Sequence, residues 1–525
     1  MRSTFMGLET AKRGMYTQQG ALYTTGHNIS NANTPGYTRQ RVNFEQTEPY
    51  PAPAMNRPQI PGQIGTGVDA GSIQRVRDSF LDMQYRGENQ KLGYWETKME
   101  AMKKMEEVMN EPSDSGLSKT MDMFWQSLQD LAVNPSNSGA RSVVRQRGIA
   151  VAETFNYLSS SLTSVRNDLK NELSVSEKQI NSLTRQIDNV NKQIADVEPH
   201  GYLPNDLYDE RDRLIDELSK HVSIQTSYQS NGGASSPVAE GAVTVTLVGK
   251  DGNLAVNLVG RSGANELKLS YQGPQNSVDS VTIGKQTLDI KDFLSQGEGK
   301  LRALVDTYGY KNTAGEAEGS YISMLDELDS MAYEFAKAFN EQHQKGVTPE
   351  QMNDPNFDPD NFTPDTPKFF QDSKNASSDL NGVTKEGFAQ RIQIADELSN
   401  LDRIATAGAS NPTLGDASNV QALADIITTT ALPYGEKEAS FQSHFESVIG
   451  RMAVESQESV RLASNSNVLR SAVDERRMSV SGVSLDEEMT DMIKFQHAYN
   501  ASARMITLQD EMLDKIINGM GTVGR

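Results

Sequence analysis

The 525-residue chain contains no cysteine. That excludes a disulfide framework, a thiolate metal site and a cysteine nucleophile. Aromatic residues are sparse at 7%, with two tryptophans, so nothing points to a large aromatic ligand pocket. Positive charge is short relative to negative: 50 basic residues face 70 acidic ones, for a formal net charge of −20. A nucleic-acid partner needs a basic stripe, and none is visible, so nucleic acid is excluded as the main partner. The acidic excess suits solubility and repulsion between free copies. Long apolar runs are missing too. A stretch such as "GAVTVTLVG" is far too short to span a bilayer, and the opening "MRSTFMGLETAKRGMY" has no apolar run of the secretory kind. The expectation is a soluble chain without membrane insertion which, if it leaves the cell, does so without a conventional cleaved signal. At this length one hydrophobic core is not enough, and several domains are expected.

What the chain does have is helical periodicity at both ends. Leu8, Met15, Leu22 and Ile29 recur every seven residues with Phe5 beside them, a thin apolar seam of coiled-coil type. Such a helix is marginal alone and needs a partner. The last segment offers one: Leu485, Met489, Met492, Gln496, Tyr499, Ala503, Ile506, Asp510, Leu513, Ile517 and Met520 alternate steps of four and three. The two ends therefore read as partner helices. Between them helical stripes recur at Leu81–Met109, Leu117–Leu131, Leu162–Val197, in "NDLYDERDRLIDELSK", at Tyr321–His343 and from Phe441 to Val473. From about Val222 to Ile290 the character changes to short β-rich runs separated by Gly, Asn and Ser, an antiparallel pattern.

The fold expected is α+β and multidomain: terminal coiled-coil helices, a long helical-bundle domain, and one or more inserted, mainly antiparallel β domains. The boundaries expected are 1–35 with 480–525 for the terminal coiled coil; 36–221 with 400–479, including helix 320–345, for the helix-rich domain; and 222–319 with 346–399 for the inserted outer part. "NDPNFDPDNFTPDTP", within 353–367, reads as an exposed acidic loop.

The first helix stops abruptly in "NISNANTPGYTRQ". Asn31 and Asn33 favour Asx-turns, Thr34 is pushed towards extended geometry by the following proline, and Pro35-Gly36 suits the centre of a type II turn. Alternation from Tyr37 through Arg39 then predicts a strand. These residues also carry a resemblance. "NISNANTPGYTRQRVNF" resembles the N-terminal signature of the axial protein family of the bacterial flagellum, the rod, hook and hook-associated proteins. "SVSGVSLDEEMTDMIKFQHAYNASARMITLQDEMLDKIINGM" is similar to the C-terminal signature of that family. "IGTGVDAGSIQRVRDSFLDMQYR" and "NEPSDSGLSKTMDMFWQSLQDLAVNPS" narrow the likeness to its hook-associated members at the hook–filament junction.

The resemblance implies a structural, non-enzymatic role without cofactors, exerted outside the cell after export by the flagellar apparatus. It implies assembly through the terminal helices into a tube of identical subunits, between the hook protein and a second junction protein, hook-associated protein 3. It also implies an export chaperone that binds the C-terminal helix, where Leu485, Met489, Met492, Tyr499, Ile506, Leu513 and Ile517 lie. Two alternatives stay open: another axial member, hook or rod, and a secreted enzyme module on a polymerising carrier. A search for chemistry finds little to support the second. The six histidines share no metal-ligand spacing, and no H-E-x-x-H, G-x-S-x-G or phosphate-loop motif occurs. Asp354, Asn356, Asp358 and Asp360 alternate as in a calcium loop, but Pro359 stands where the glycine is needed. Met99, Met102, Met105 and Met109 read as core.

Overall fold

The computed structural model describes residues 5–519 except 52–53, 56–61, 110–112, 114–115, 249–254, 295–296, 313, 356, 358–364, 376–379, 411 and 435–436. Helix α1 (Phe5–Asn31) is followed by an antiparallel hairpin, β1 (Gln40–Gln46) and β2 (Val68–Arg75). Four helices come next: α2 (Ser79–Met109), α3 (Leu117–Val133), α4 (Ser138–Val197) and α5 (Asn205–His221). After the strands of the middle region come α6 (Ile290–Leu294), α7 (Lys300–Tyr308), α8 (Ser320–Lys345), α9 (Pro349–Met352) and α10 (Ser418–Thr428). Two long helices, α11 (Phe441–Ser481) and α12 (Leu485–Gly519), close the order.

Helix α4 is the spine, 60 residues or roughly 90 Å at 1.5 Å per residue. The expected start is Leu162, and the structure begins the helix 24 residues earlier, at Ser138. The added turns bury Val144, Val151, Phe155 and Leu158 in line with Leu162, so the apolar period runs on through them and is interrupted by a glycine at 148. Gly148 sits so close to Phe369 and Ile394 that a Cβ there would meet them at 2.9 and 3.0 Å. Arg141 is buried, bonding the Pro135 carbonyl and Asp402. At the start the Asn137 side chain accepts the Gly139 N–H; at the end Pro199 and the left-handed Gly201 stop the helix.

The middle strands form two small sheets on the later half of α4. One joins 224–229, 242–248, 255–260 and 263–264 in sequence order, all antiparallel. The other pairs 267–272, 277–283 and 286–289 antiparallel, with 310–311 running parallel to 277–283. Two buried amides fasten them: Asn181 bonds both the N–H and the carbonyl of Leu267, and Asn191 does the same for Val243. Each asparagine thus replaces a missing strand neighbour and satisfies buried backbone.

A single apolar cluster runs from Ala101 to Met452. At its centre Phe124, Phe335, Phe339, Phe369, Phe370 and Phe441 interlock. Met102, Met105 and Met109 are fully buried in it. Residues 346–399 supply Phe369, Phe370 and Phe388 to this cluster, so that stretch packs with the helices as well as with its own short strands 370–372 and 392–394. The acidic loop is described only at its edges, where Thr366 is buried against the Gly346 carbonyl; Asn356, Asp358 and Asp360 lie outside the described residues. No residue of α1, the β1–β2 hairpin or α12 belongs to the cluster.

Candidate functional site: the joined chain ends

The turn after α1 folds as its residues dictate. The Tyr37 N–H donates to the Thr34 carbonyl at 3.2 Å, and Gly36 has φ +83°, the left-handed geometry that the third residue of a type II turn requires. Asn31 caps the helix end by donating to the His27 carbonyl and accepting the Thr34 hydroxyl. Asn33 and Pro35 are exposed. Arg39 follows the turn immediately before β1 and reaches the start of α12.

There the two chain ends meet. Asn28 is buried with both halves of its amide used: Nδ2 donates to the Gln40 carbonyl (2.8 Å) and to Glu488 Oε2 (3.1 Å), while Oδ1 accepts the Tyr37 hydroxyl (2.7 Å) and the Gln40 N–H (3.0 Å). Arg39 donates from Nε to Glu488 (2.7 Å) and from a terminal nitrogen to Glu487 (2.6 Å), and its backbone N–H donates to the Ser481 carbonyl. Burial alone would lower the Arg39 pKa, but Glu488 and Glu487 raise it above its ordinary value. The Tyr37 hydroxyl is pushed far up by burial and by the nearby Asp209, Asp206 and Glu488, so it stays a donor.

Beyond this knot α1 and α12 run side by side, and the contact differs from an apolar zipper. The closest approach is made by small residues. A Cβ on Gly7 would stand 3.0 Å from Gln509, and one on Gly14 would stand 3.2 Å from Ser502. Ala21 continues the same line and is fully buried. Leu8, Met15, Leu22 and Ile29 sit one position round the helix and are half-buried, while Phe5 is exposed. A second polar face carries Thr10 and Thr17, whose hydroxyls reach the Thr66 and Val68 carbonyls of the hairpin. On α12, Met492, Tyr499, Ile506 and Leu513 are half-buried towards α1, whereas Leu485 (50% exposed), Met489 (57%) and Ile517 (71%) face outwards. Among the described residues of α12 one side chain is fully buried, and it is Glu488 at 2% exposure. Ile493, Met505, Leu508, Met512 and Ile516 are exposed as well.

The ends attach to the body through charge. Arg75 at the end of β2 reaches Asp209 (2.7 Å), Asp212 (3.0 Å) and Glu240; Arg77 and Arg86 also hold Asp212, and Arg477 of α11 holds Asp216. Burial would raise the Asp212 carboxyl, but Arg77, Arg75, Arg211 and Arg86 together hold it well below the usual carboxylate range. The Thr38 N–H donates to Asp209 in the same network. None of this was legible from spacing, because partners such as Arg75 and Asp209 lie far apart in the chain. Gly7, Gly14, Ala21 and Asn28 do recur every seven residues, but a search for apolar periods passes over them.

Comparison with known proteins bears on this arrangement at both ends and in the middle. Residues 102–357 match the family described as Flagellar hook-associated protein FlgK helical domain. Residues 8–38 match Flagella basal body rod protein and 475–519 match Flagellar basal body rod FlgEFG protein C-terminal, the two segments knotted together here. The chain is 45% identical to Flagellar hook-associated protein 1 of Bacillus subtilis over 532 aligned residues, covering 100% of both chains. The chain belongs to the flagellar hook-associated protein 1 family. Flagellar hook-associated protein 1 of Escherichia coli is 24% identical across 97% of this chain and 99% of its own. The solved structure of the flagellar hook junction protein FlgK from Burkholderia pseudomallei shares the fold, with a TM-score of 0.59 at 13% identity over 76% of this chain and all of its own. The full-length identity decides for this family over a hook or rod protein, whose signatures the chain ends share. The family is one of structural axial components of the flagellum. Among the described residues, no three or more His, Cys, Asp or Glu side chains are grouped to hold a metal ion, and no helix is long and apolar enough to cross a membrane.

Proposed function

We propose that this chain is the structural subunit that joins hook to filament, polymerising with identical copies through α1 and α12. The observation that carries the reading is the composition of α12: a 35-residue helix in which, among the described residues, the one buried side chain is a glutamate, with Leu485, Met489, Ile493, Met505, Leu508 and Met512 left exposed. A helix with so little buried apolar surface gains order when neighbours cover it, and identical neighbours related by rotation build a tube or ring. In this reading residues 1–35 and 480–525 form the inner tube, the helix-rich body surrounds it, and the inserted strands lie outermost. The turn residues Asn31, Asn33, Thr34, Pro35, Gly36, Tyr37 and Arg39 hold the tube segment to the body. Its partners are the hook protein on one side and hook-associated protein 3 on the other, with an export chaperone on α12 beforehand. The protein acts outside the cell, exported without signal cleavage, and has no catalytic role.

The test is a strain lacking the native gene, supplied with a chain carrying Met505→Ser, Leu508→Ser and Met512→Ser. The expected outcome is hooks without filaments, and filament protein shed unpolymerised into the medium. Normal filaments on the variant would overturn the reading.

A further inference from the structure

The contact between α1 and α12 follows one antiparallel register. Gly7 lies against Gln509, Gly14 against Ser502 and Asn28 against Glu488: each step of seven along α1 matches a step of seven back along α12. The same register sets Ala21 level with Phe495. A slip of one heptad would set Gly14 against Gln509 and Ala21 against Ser502. These pairings are as small and as polar as the native ones, so the seam itself scarcely distinguishes the two. Helix α1 is fixed from its other side by the Thr10 and Thr17 hydroxyls on the hairpin. Helix α12 meets the same hairpin through Phe495, whose ring stands edge-on to Phe44 at 5.9 Å, and Asp491 lies 3.7 Å from Arg39.

We propose that Glu488, clasped by Asn28 and Arg39, is the positioning residue that sets the register of α12 on α1. In the slipped register Asn28 faces Phe495 and loses an acceptor, and Arg39 loses the carboxylate that its Nε engages at 2.7 Å. A single buried polar pair at one seam position is the means by which coiled coils reject alternative registers, at some cost in stability. Here it stands at one end of a thin seam whose apolar help towards register is the Phe495–Phe44 ring contact. Because α12 is the helix that presents its outer faces to neighbouring copies in the reading above, its register fixes which apolar residues each neighbour meets.

The chain has no cysteine, so an introduced pair reports register without background. A Cβ at position 14 lies 4.0 Å from the Ser502 Cβ, within disulfide range. Gly14→Cys with Ser502→Cys reports the native register, and Ala21→Cys with Ser502→Cys reports the slip. Each pair is placed in the full chain with Glu488, Glu488→Ala or Glu488→Gln, then oxidised as the free protein. The parent is expected to close the native pair alone. Glu488→Ala should raise closure of the slipped pair at least about tenfold, and Glu488→Gln, which keeps an acceptor for Asn28, should return it close to the parent. A Glu488→Ala chain with the parent's pattern would overturn the proposal, as would a parent that fails to close the native pair. Position 488 lies outside the apolar cluster, so an unchanged body melting curve confirms that the chain is folded. Oxidation is read on free protein, so failure here is separable from failure of the filament test.

Discussion

Two parts of this molecule are built on opposite principles. The body, from α2 to α11, gathers its buried apolar side chains in one cluster, and its buried charges, such as Asp212, Arg211 and Asp329, are bonded. The joined ends do the reverse. They bury Asn28, Thr17, Thr24 and Glu488 at their contacts and leave Tyr16, Tyr23, Met489, Ile493 and Leu508 in water. The body thus has a core complete within one chain, with Phe80, Met83, Val454, Val468 and Leu469 left exposed on α2 and α11, and the ends have no such core. The boundary between them is an ionic network around Asp212, where each buried charge is paired; removing one partner there would strand the others.

The largest expected effect contrasts the two regions directly. Phe339 is fully buried amid Phe124, Phe335 and Phe369, so Phe339→Ala should cost about 3–5 kcal/mol through lost burial and the cavity left behind. Leu513→Ala on α12, half-exposed in the single chain, should cost less than about 1 kcal/mol. Urea unfolding followed by tryptophan fluorescence suits this comparison, because Trp95 and Trp125 both sit in the body, on α2 and α3. Comparable losses from the two substitutions would erase the distinction.

The next effect is a pH dependence confined to the body. His343 is fully buried and neutral: Nδ1–H donates to the Pro367 carbonyl and Nε2 accepts the Ala405 N–H. Burial lowers its pKa from 6.5 to about 4. Its contribution is therefore fully present above pH 6.5 and is lost as pH falls towards 4, a change of about 3 kcal/mol. Asp329 works in the other direction. Burial raises its carboxyl to about 6 although the Ala389 and Gly387 N–H groups bond it, so its contribution is present below the unfolded value of 3.8 and lost as pH rises through 6. The stability gap between the parent and His343→Gln should narrow on going from pH 7 to 4, and the gap to Asp329→Asn should widen. Parallel pH curves for parent and His343→Gln would show that the ring is not held neutral.

How far the sequence foretold this contrast depends on what kind of contact holds each part. Heptad spacing on α12 and the Pro35-Gly36 turn were legible because apolar period and left-handed glycine geometry are local properties of a few residues. The start of α4 was legible and missed: Val144, Val151, Phe155 and Leu158 continue the apolar period, while Gly148 and the buried Arg141, whose partners are residues 369 and 402, interrupt it. The line of closest approach on α1 was missed for a related reason. Leu8, Met15, Leu22 and Ile29 dominate an apolar search, yet two helices that nearly touch need glycine, not leucine, between them. The residue that ties the ends together, Glu488, lies off the apolar spacing of α12, and its partners Asn28 and Arg39 are more than four hundred residues away.

A third substitution probes that close approach. Gly14→Leu places a branched side chain where even a Cβ stands 3.2 Å from Ser502, and overpacking of this kind costs about 1–3 kcal/mol. The loss should fall on the ends alone. Amide exchange in α1 and α12 should quicken about tenfold or more while the body midpoint stays where it was. A shift of the body midpoint would mean that the Asp212 network couples the two parts more tightly than the absence of shared apolar packing implies.

The smallest expected effect on stability tests the comparison hardest. Leu508 is 43% exposed, and Met512 is exposed to a similar degree. Leu508→Ser should change the stability of the free chain by no more than about 0.5 kcal/mol, as exposed substitutions usually do. If the outward face of α12 awaits neighbouring copies, the same change should nevertheless lower incorporation at the hook tip, measured as the fraction of hooks that carry filaments. A side chain that is neutral in the monomer and costly in the polymer has its partner in another molecule. One that is neutral in both would place the subunit contact on a different face of α12, towards Leu485, Met489 and Ile493.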